Sequence, residues 1–249
     1  MTTPSWSWER LERGNVGSQT ALIELVEPRR DESVLDVGTG SGGLALLAAR
    51  TGAAVTGIDI AEDGVERARA RAKDEGLNIR FDVGDAQSLP YADAAFDVVL
   101  STFGVIFATD QRQAARELAR VCKAGGRLGL TLMPPDSRSS EAVSIFREFG
   151  DSDGGDHPAA FADRLEELLD DTFEFEARRR EIPAEPGGAT TWDEALDQSG
   201  ELRTLASTLP PERLAALRVR VEDMLATWSG RPASYVIVVG HRRETDLAQ

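Results

Sequence analysis

The stretch that most constrains this chain is Val34-Leu35-Asp36-Val37-Gly38-Thr39-Gly40-Ser41-Gly42-Gly43, followed at once by Leu44-Ala45-Leu46-Leu47-Ala48-Ala49. An apolar run carrying one acid ends in a glycine-rich turn, and strong helix formers take over without a break. That order spells a strand, a tight loop and a helix N-terminus. Glycine reaches positive φ at no steric cost and lets a ligand approach the backbone closely. The N–H groups freed at a helix start attract negative or polar ligand atoms. The turn therefore predicts a ligand site at the carboxyl end of a buried strand.

The neighbouring sequence repeats the alternation. Strands are expected over 33–37, 54–59, 78–83, 95–101 and 127–133, and helices over 17–27, 43–51, 62–75 and 110–122. Pro28 ends the first helix, Gly76 suits a C-cap and Asp110 an N-cap. Val55 and Ile58 have the β-branched character of a buried parallel strand. Strands alternating with helices build a parallel sheet covered on both faces, through right-handed crossovers. After Met133 the pattern changes at Pro134-Pro135. Helices are expected over 139–149, 159–169, 191–199 and 211–228. A strand is expected where Phe173-Glu174-Phe175-Glu176-Ala177 alternates, and a last one over 235–239. Leu214, Leu217, Val221, Leu225 and Trp228 form an apolar stripe expected to pack on the sheet. The fold class is α/β: a doubly wound, mostly parallel sheet of seven strands. The last two strands are expected as an antiparallel pair at one edge, and a helical cap is inserted over 134–230.

Charge and composition narrow the partners. The 249 residues suit one domain. With 43 acidic and 28 basic side chains the formal charge is −15, which disfavours a nucleic-acid partner, since phosphate backbones demand Lys and Arg. A single cysteine, Cys122, rules out an internal disulfide and suits a reducing compartment. The opening Met1-Thr2-Thr3-Pro4-Ser5-Trp6 lacks a signal-peptide pattern, and no apolar run approaches the roughly 20 residues that cross a bilayer. These features predict a cytoplasmic protein without a membrane span, and they leave the oligomeric state open. Asp151-Ser152-Asp153-Gly154-Gly155-Asp156 invites a calcium reading, but Gly155 stands where a ligand belongs and Asp156 replaces the turn glycine. A solvated loop and no metal site are expected.

Gly38-x-Gly40-x-x-Gly43 fits the dinucleotide fingerprint, with Asp59 about 20 residues on to take ribose hydroxyls. The cofactor is then a nicotinamide or flavin dinucleotide, or another adenosine compound. Two features separate these. Asp36, just before the loop, repels a pyrophosphate and attracts an ammonium and a sulfonium. Gly84-Asp85-Ala86 follows the third strand, where an acid can accept from the adenine amino group and a backbone N–H can donate to a ring nitrogen. Both fit S-adenosylmethionine.

At these residues the chain resembles the class I S-adenosylmethionine-dependent methyltransferases, in the branch holding ubiquinone/menaquinone-type and many small-molecule enzymes. The matching stretches are Val34 to Gly42, Val55-Thr56-Gly57-Ile58-Asp59-Ile60, Gly84-Asp85-Ala86-Gln87-Ser88-Leu89-Pro90-Tyr91, Phe96-Asp97-Val98-Val99-Leu100-Ser101, and Glu117 to Arg127. Ala124 stands where the family usually has proline. The resemblance covers about residues 17–133 and thins beyond. It implies a Rossmann-like methyltransferase fold: a lid or helix over 1–30, a cofactor-binding core over 31–133, substrate-side helices and a strand over 134–230, and the last strand and tail over 231–249. It also implies residue roles. Gly38, Thr39, Gly40 and Gly42 pass under the methionine portion, and Asp36 helps hold its amino end. Asp59 takes the ribose diol and Ile60 packs on adenine. Asp85 and Ala86 meet adenine edges, and Ser101 faces the methionine part through its backbone.

Transfer from a sulfonium is an in-line displacement in which the cofactor carries the reactive group, and the protein supplies orientation and excludes water. A base is needed only for a protonated, weakly acidic acceptor. His157 in the variable region is the candidate, while His241 is expected to be peripheral and Cys122 a small buried hydrophobe within a helix. Trp6, Trp8, Phe103 and Phe107 can line an apolar acceptor pocket, with the tryptophans on an N-terminal lid. Asp97 is expected to serve the strand start. The expected reaction is methyl transfer to an O, N or C atom of a small organic molecule. The competing readings are a protein of the same fold that keeps its cofactor intact, such as a cyclase, and a nicotinamide-dependent oxidoreductase.

Overall fold

In a computed structural model, the structure describes residues 8–150, 155–169, 171–182, 189–228 and 230–244, with side chains from residue 15 onward. The elements of the first half are α1 (Trp8–Val26), β1 (Ser33–Val37), α2 (Gly43–Ala49), β2 (Ala54–Asp59), α3 (Glu62–Asp74), β3 (Arg80–Val83), β4 (Phe96–Thr102), a 3-10 turn (Val105–Phe107), α4 (Gln111–Val121) and β5 (Cys122–Leu132). There follow α5 (Arg138–Phe149), α6 (Ala160–Asp163), α7 (Leu165–Leu169), β6 (Phe173–Ile182), α8 (Trp192–Gln198), α9 (Gly200–Thr208), α10 (Pro211–Trp228) and β7 (Ala233–Arg242).

The strands form one sheet in the order β3-β2-β1-β4-β5-β7-β6. β1 to β5 are mutually parallel. β7 runs antiparallel between β5 and β6, so the expected antiparallel pair closes one edge. Chain order reverses between β1 and β4, and the crevice outside the carboxyl ends of such strands is where open α/β sheets bind ligands. The expected glycine turn opens there.

Alternation along β1 and β4 divides the core into two layers. Val34, Val98 and Leu100 face α1, α2 and α3 with Leu22, Leu44, Val65 and Phe81. Leu35, Val37 and Val99 face the other side with Leu118, Leu128, Leu130 and Phe161. Each fully buried aliphatic chain of this kind contributes about 1.5–3 kcal/mol. A third cluster lies off the sheet: Ile145 and Phe149 of α5, Trp192 of α8, Leu202 of α9, and Leu217, Val221 and Leu225 of α10. The α10 stripe thus packs on other helices, not on the sheet as expected. α5 leaves the carboxyl end of β5 and α10 returns to the start of β7, which lies at the same edge of the sheet. These helices stand at the carboxyl edge as a cap.

Several boundaries differ from the sequence reading. α1 begins at Trp8, nine residues early, because Gly17 is exposed with open space around it and does not interrupt the helix. β5 begins at Cys122, at the end of the α4 helix that was expected to contain it. The register slips between Phe96↔Cys122 and Val98↔Arg127, so Gly125-Gly126 forms a bulge within the strand. The helix expected over 159–169 breaks at Arg164, whose side chain is drawn to Asp156 and Gln111. β6 runs on to Ile182 because β7 pairs with its whole length. α9 was not expected. Gly200 reads as a breaker, yet Ser199 ends α8 and caps α9 through the Leu202 N–H.

Candidate active site at the carboxyl ends of β1 and β4

The glycines of the turn have separate duties. Gly38, Gly40 and Gly42 all take positive φ, at 70°, 52° and 82°. A methyl on Gly38 would stand 2.5 Å from the Gly104 Cα, and one on Gly104 would stand 2.7 Å from both the Gly38 Cα and the Val37 carbonyl oxygen. The loops after β1 and β4 therefore touch backbone to backbone. Phe103, just before Gly104, itself sits at φ 57°, a strained conformation for an aromatic residue. Its N–H reaches the Thr131 carbonyl at 3.0 Å.

Four amides of the turn ahead of the helix start are already bonded within the protein. Gly38 and Thr39 N–H donate to the Ile58 carbonyl at 2.8 and 3.0 Å, and Gly42 N–H donates to the Thr39 carbonyl at 2.8 Å. Gly40 N–H donates to Asp59 Oδ2 at 2.7 Å. These four donors are consumed by the scaffold.

Asp36 is 1% exposed. Its Oδ2 accepts from Thr39 Oγ1 at 2.7 Å, and its carboxylate also accepts from the Ala45 N–H. It therefore lies beneath the loop as a buried acid and does not offer an open oxygen to a ligand. Burial, with the Asp59 charge adding to it and the Thr39 hydroxyl opposing, pushes its pKa up to about 7. Asp59 is half-buried, and burial raises its pKa against the backbone bonds of Ala61 and Gly40. Its Oδ1 accepts from Ala61 N–H at 2.9 Å. With the amides of Gly40, Ala61 and Ile60 on its two oxygens, the carboxylate keeps acceptor capacity for one further hydroxyl.

Around these acids runs an exposed apolar rim. Ile60, beyond β2, is 62% exposed, Val83 at the end of β3 is 47% and Phe107 beyond β4 is 45%. Phe103 is instead packed between both core layers, so the two phenylalanines part company. Asp85 accepts from the Gln87 N–H at 2.8 Å and from Gln87 Nε2, and Ala86 is partly buried against the core. Ser101 is fully buried. Its Oγ donates to the Val37 carbonyl at 2.7 Å and accepts from Val105 N–H at 3.0 Å, tying β4 to β1. Thr102 and Thr131, opposite each other on β4 and β5, have buried hydroxyls with no hydrogen-bond partner among the described residues.

His157 is committed elsewhere. Its Nδ1 accepts from Ala159 N–H at 3.1 Å, leaving Nε2 to carry the proton toward Ser144 Oγ at 3.1 Å. Burial, with Arg147 nearby, lowers its pKa. A base needs a free lone pair, and His157 has none here. Trp6 lies outside the described residues, as does the Trp8 side chain, although Trp8 begins α1. His241 is on β7 opposite Glu174, away from the turn. Asp97 serves the amino ends of the strands as expected. It bonds Ser33 and Lys123.

Sequence reasoning missed several residues that shape the site. Gln87 bridges the β3 loop to α4, its Oε1 accepting from Thr109 Oγ1 and Asp110 N–H. Arg120 clamps the same loop by donating to the carbonyls of Leu89 and Tyr91 at 2.9 and 2.7 Å, while Glu117 accepts from Leu89 N–H. Arg71 of α3 donates to the Ser41 carbonyl at 2.9 Å. The available signal was the Glu117-x-x-Arg120 spacing, which puts both side chains on one helix face.

A doubly wound sheet, a glycine turn at its switch point and acids after β2 and β3 come together in one stretch, and residues 35–130 match the family described as "Methyltransferase domain". Among individual proteins, the chain is 40% identical to an uncharacterized protein of Mycobacterium bovis over 125 residues, 50% of this chain and 46% of that one. It is 38% identical to a demethylmenaquinone methyltransferase of Thermus thermophilus over 120 residues, 47% of this chain and 54% of that one. The chain thus spans about half the length of the curated relatives it matches. The crystal structure of the cyclase SpnF superposes with a TM-score of 0.60 at 23% identity, covering 97% of this chain and 85% of that one, a likeness of fold alone.

Proposed function

We propose that the protein transfers the methyl group of S-adenosylmethionine to an oxygen, nitrogen or carbon atom of a small organic molecule in the cytoplasm. The observation that supports this over a dinucleotide enzyme is the committed state of the turn. The amides of Gly38, Thr39, Gly40 and Gly42 all bond inside the protein, so a pyrophosphate would find no cradle in them and a buried acid below them. A cofactor without phosphates and with positive charge suits the same loop.

The residues fit that cofactor. Gly38 and Gly104 leave no room for a side chain, so a ligand can lie directly on the backbone. Asp59 retains acceptor capacity for a ribose hydroxyl. Ile60 and Val83 offer apolar surface to an adenine that Asp85 and Ala86 would meet at its edges. When bound, the cofactor supplies a methyl carbon made electrophilic by a sulfonium. The chain then orients the acceptor in line with the carbon–sulfur bond, which can be worth ~7–11 kcal/mol of barrier, and the cap excludes water. The bound cofactor would give its methyl to the acceptor's electron pair and leave as a neutral thioether, and any acceptor proton would pass to solvent, since both ring nitrogens of His157 are bonded.

Calorimetry with S-adenosylmethionine, S-adenosylhomocysteine and NAD, on wild type and Asp59→Ala, tests the reading. Binding of the first two and not the third, weakened in Asp59→Ala, is expected. Binding of NAD alone would overturn it. Incubation with acceptor libraries then separates transfer from a cyclase-like role, because only transfer converts S-adenosylmethionine into S-adenosylhomocysteine.

A further inference from the structure

Among the described residues β6 is the outermost strand of the sheet, and β7 is its one strand neighbour. All ten residues from Phe173 to Ile182 pair with β7 without a register shift, and none is proline or glycine. From Glu176 to Ile182 every residue is exposed. A long, straight, open edge is a template for another strand, and natural proteins commonly guard such edges with charge. A guard that only repels works with one sign. Here the signs are ordered along the strand: Glu174 and Glu176, then Arg178 and Arg180. These four alternate residues share one face.

That order is self-complementary when the strand meets a second copy of itself head to tail. A two-fold axis perpendicular to the sheet keeps each face continuous, and it must pass opposite a single residue. With the axis at Ala177, Glu176 faces Arg178 of the other copy and Glu174 faces its Arg180, twice over. Cross-strand pairs of opposite charge stabilise a ladder, and like pairs destabilise it. Moving the axis to Glu176 sets glutamate on glutamate, and moving it to Arg178 sets arginine on arginine. Only the Ala177 centre avoids both, and it puts the smallest side chain of the segment on the axis.

The other face of the strand is already engaged. Arg179 donates to Asp136 and to Ser234 Oγ within the chain. On the charged face, Arg178 reaches back to Glu176 at 2.8 Å, with both side chains more than half exposed. A solvated pair of this sort is worth little and exchanges readily for cross-strand partners. The same face overhangs a groove of about 470 Å³ floored by Leu25, Ile237 and Val239 and rimmed by Glu174, Glu176 and Arg178. Pairing would extend that rim across both copies.

We propose that the protein forms an isologous two-fold dimer in which β6 pairs antiparallel with β6 of a second copy about Ala177, making one sheet continuous through both. The symmetry makes each Glu–Arg contact occur twice. The seam is three strands from β4, so it leaves the cofactor crevice open.

Sedimentation velocity on the full chain tests this with two charge-reversed variants, Arg178→Glu/Arg180→Glu and Glu174→Arg/Glu176→Arg. Wild type should sediment at twice the chain mass, and each variant at the chain mass. An equimolar mixture of the two variants should return to twice the chain mass, because an all-acidic strand meets an all-basic one. That recovery also shows that both variants are folded. Salt near ~1 M should weaken the wild-type dimer about tenfold or more by screening. Wild type at the chain mass throughout, variants that stay dimeric alone, or a mixture that stays at the chain mass would each overturn the proposal.

Discussion

At the scale of single residues, the site is a place where backbone occupies space that side chains normally fill. Gly104 has an ordinary negative φ of −73°, so its requirement is for room and not for conformation. Gly104→Ala would drive its methyl into Gly38 and the Val37 carbonyl. We expect a loss of about 1–3 kcal/mol, typical of overpacking, read as a lower urea midpoint, with S-adenosylhomocysteine affinity falling at least as sharply. Asp36 makes a different prediction. Its folded pKa of about 7 lies above the ordinary 3.8. The folded state therefore holds a proton that the unfolded state releases. Its contribution is fully present below pH 4 and is lost as pH rises through 7. Urea midpoints of wild type should fall from pH 5 to pH 8 relative to Asp36→Asn, by an amount on the order of 3 kcal/mol. Parallel curves for the two proteins would remove Asp36 as a buried titrating acid.

At the scale of elements, the sheet is pinned at its amino end and its loops are clamped at the carboxyl end. Asp97 joins Ser33 of β1, β4 and Lys123 of β5 through bonds of 2.6 to 2.9 Å. Burial works to raise its pKa, but the Lys123 and Ser33 bonds prevail and hold it at about 2. A lowered pKa contributes stability above the unfolded value that disappears as pH falls through the folded one. Asp97→Asn should lose about 1 kcal/mol at neutral pH, a modest figure because the pair is partly solvated, and its acid unfolding between pH 4 and pH 2 should be less steep. The opposite clamp, Arg120, is read by Arg120→Ala, which strands Glu117 in a buried position. A loss of about 1–3 kcal/mol and weaker S-adenosylhomocysteine binding are expected.

These elements also show what was legible in advance. The first five strands and the glycine turn were readable because propensity, periodicity and cap residues all pointed one way. Asp110 does cap α4, through the Gln113 N–H. The misreadings fall where long-range pairing overrode local chemistry: the Gly125-Gly126 turn absorbed as a bulge, β6 extended by β7, and α9 begun at a glycine. In the site, residue types and order were visible, but occupancy was not. Nothing local tells that the loop amides are bonded to Ile58 and Asp59, or that His157 spends both ring nitrogens on Ala159 and Ser144.

At the scale of the whole molecule, two bodies of apolar packing meet at one edge. The sheet carries two core layers, while the cap has its own cluster around Trp192, Leu217 and Val221. Polar ties secure the cap internally: Trp228 Nε1 donates to Glu141, and Arg213 donates to the carbonyls of Glu148 and Phe149. Such a division lets the sheet stay rigid while the cap yields. Trp192→Ala is the discriminating change. Emptying a buried tryptophan costs about 3–5 kcal/mol, and if the cap is a separate cooperative unit the loss should be local. Hydrogen exchange should then show amides of α8, α9 and α10 losing protection while β1, β2 and β4 keep theirs, with S-adenosylhomocysteine affinity unchanged. Equal loss of protection in the sheet would mean that cap and sheet unfold as one body.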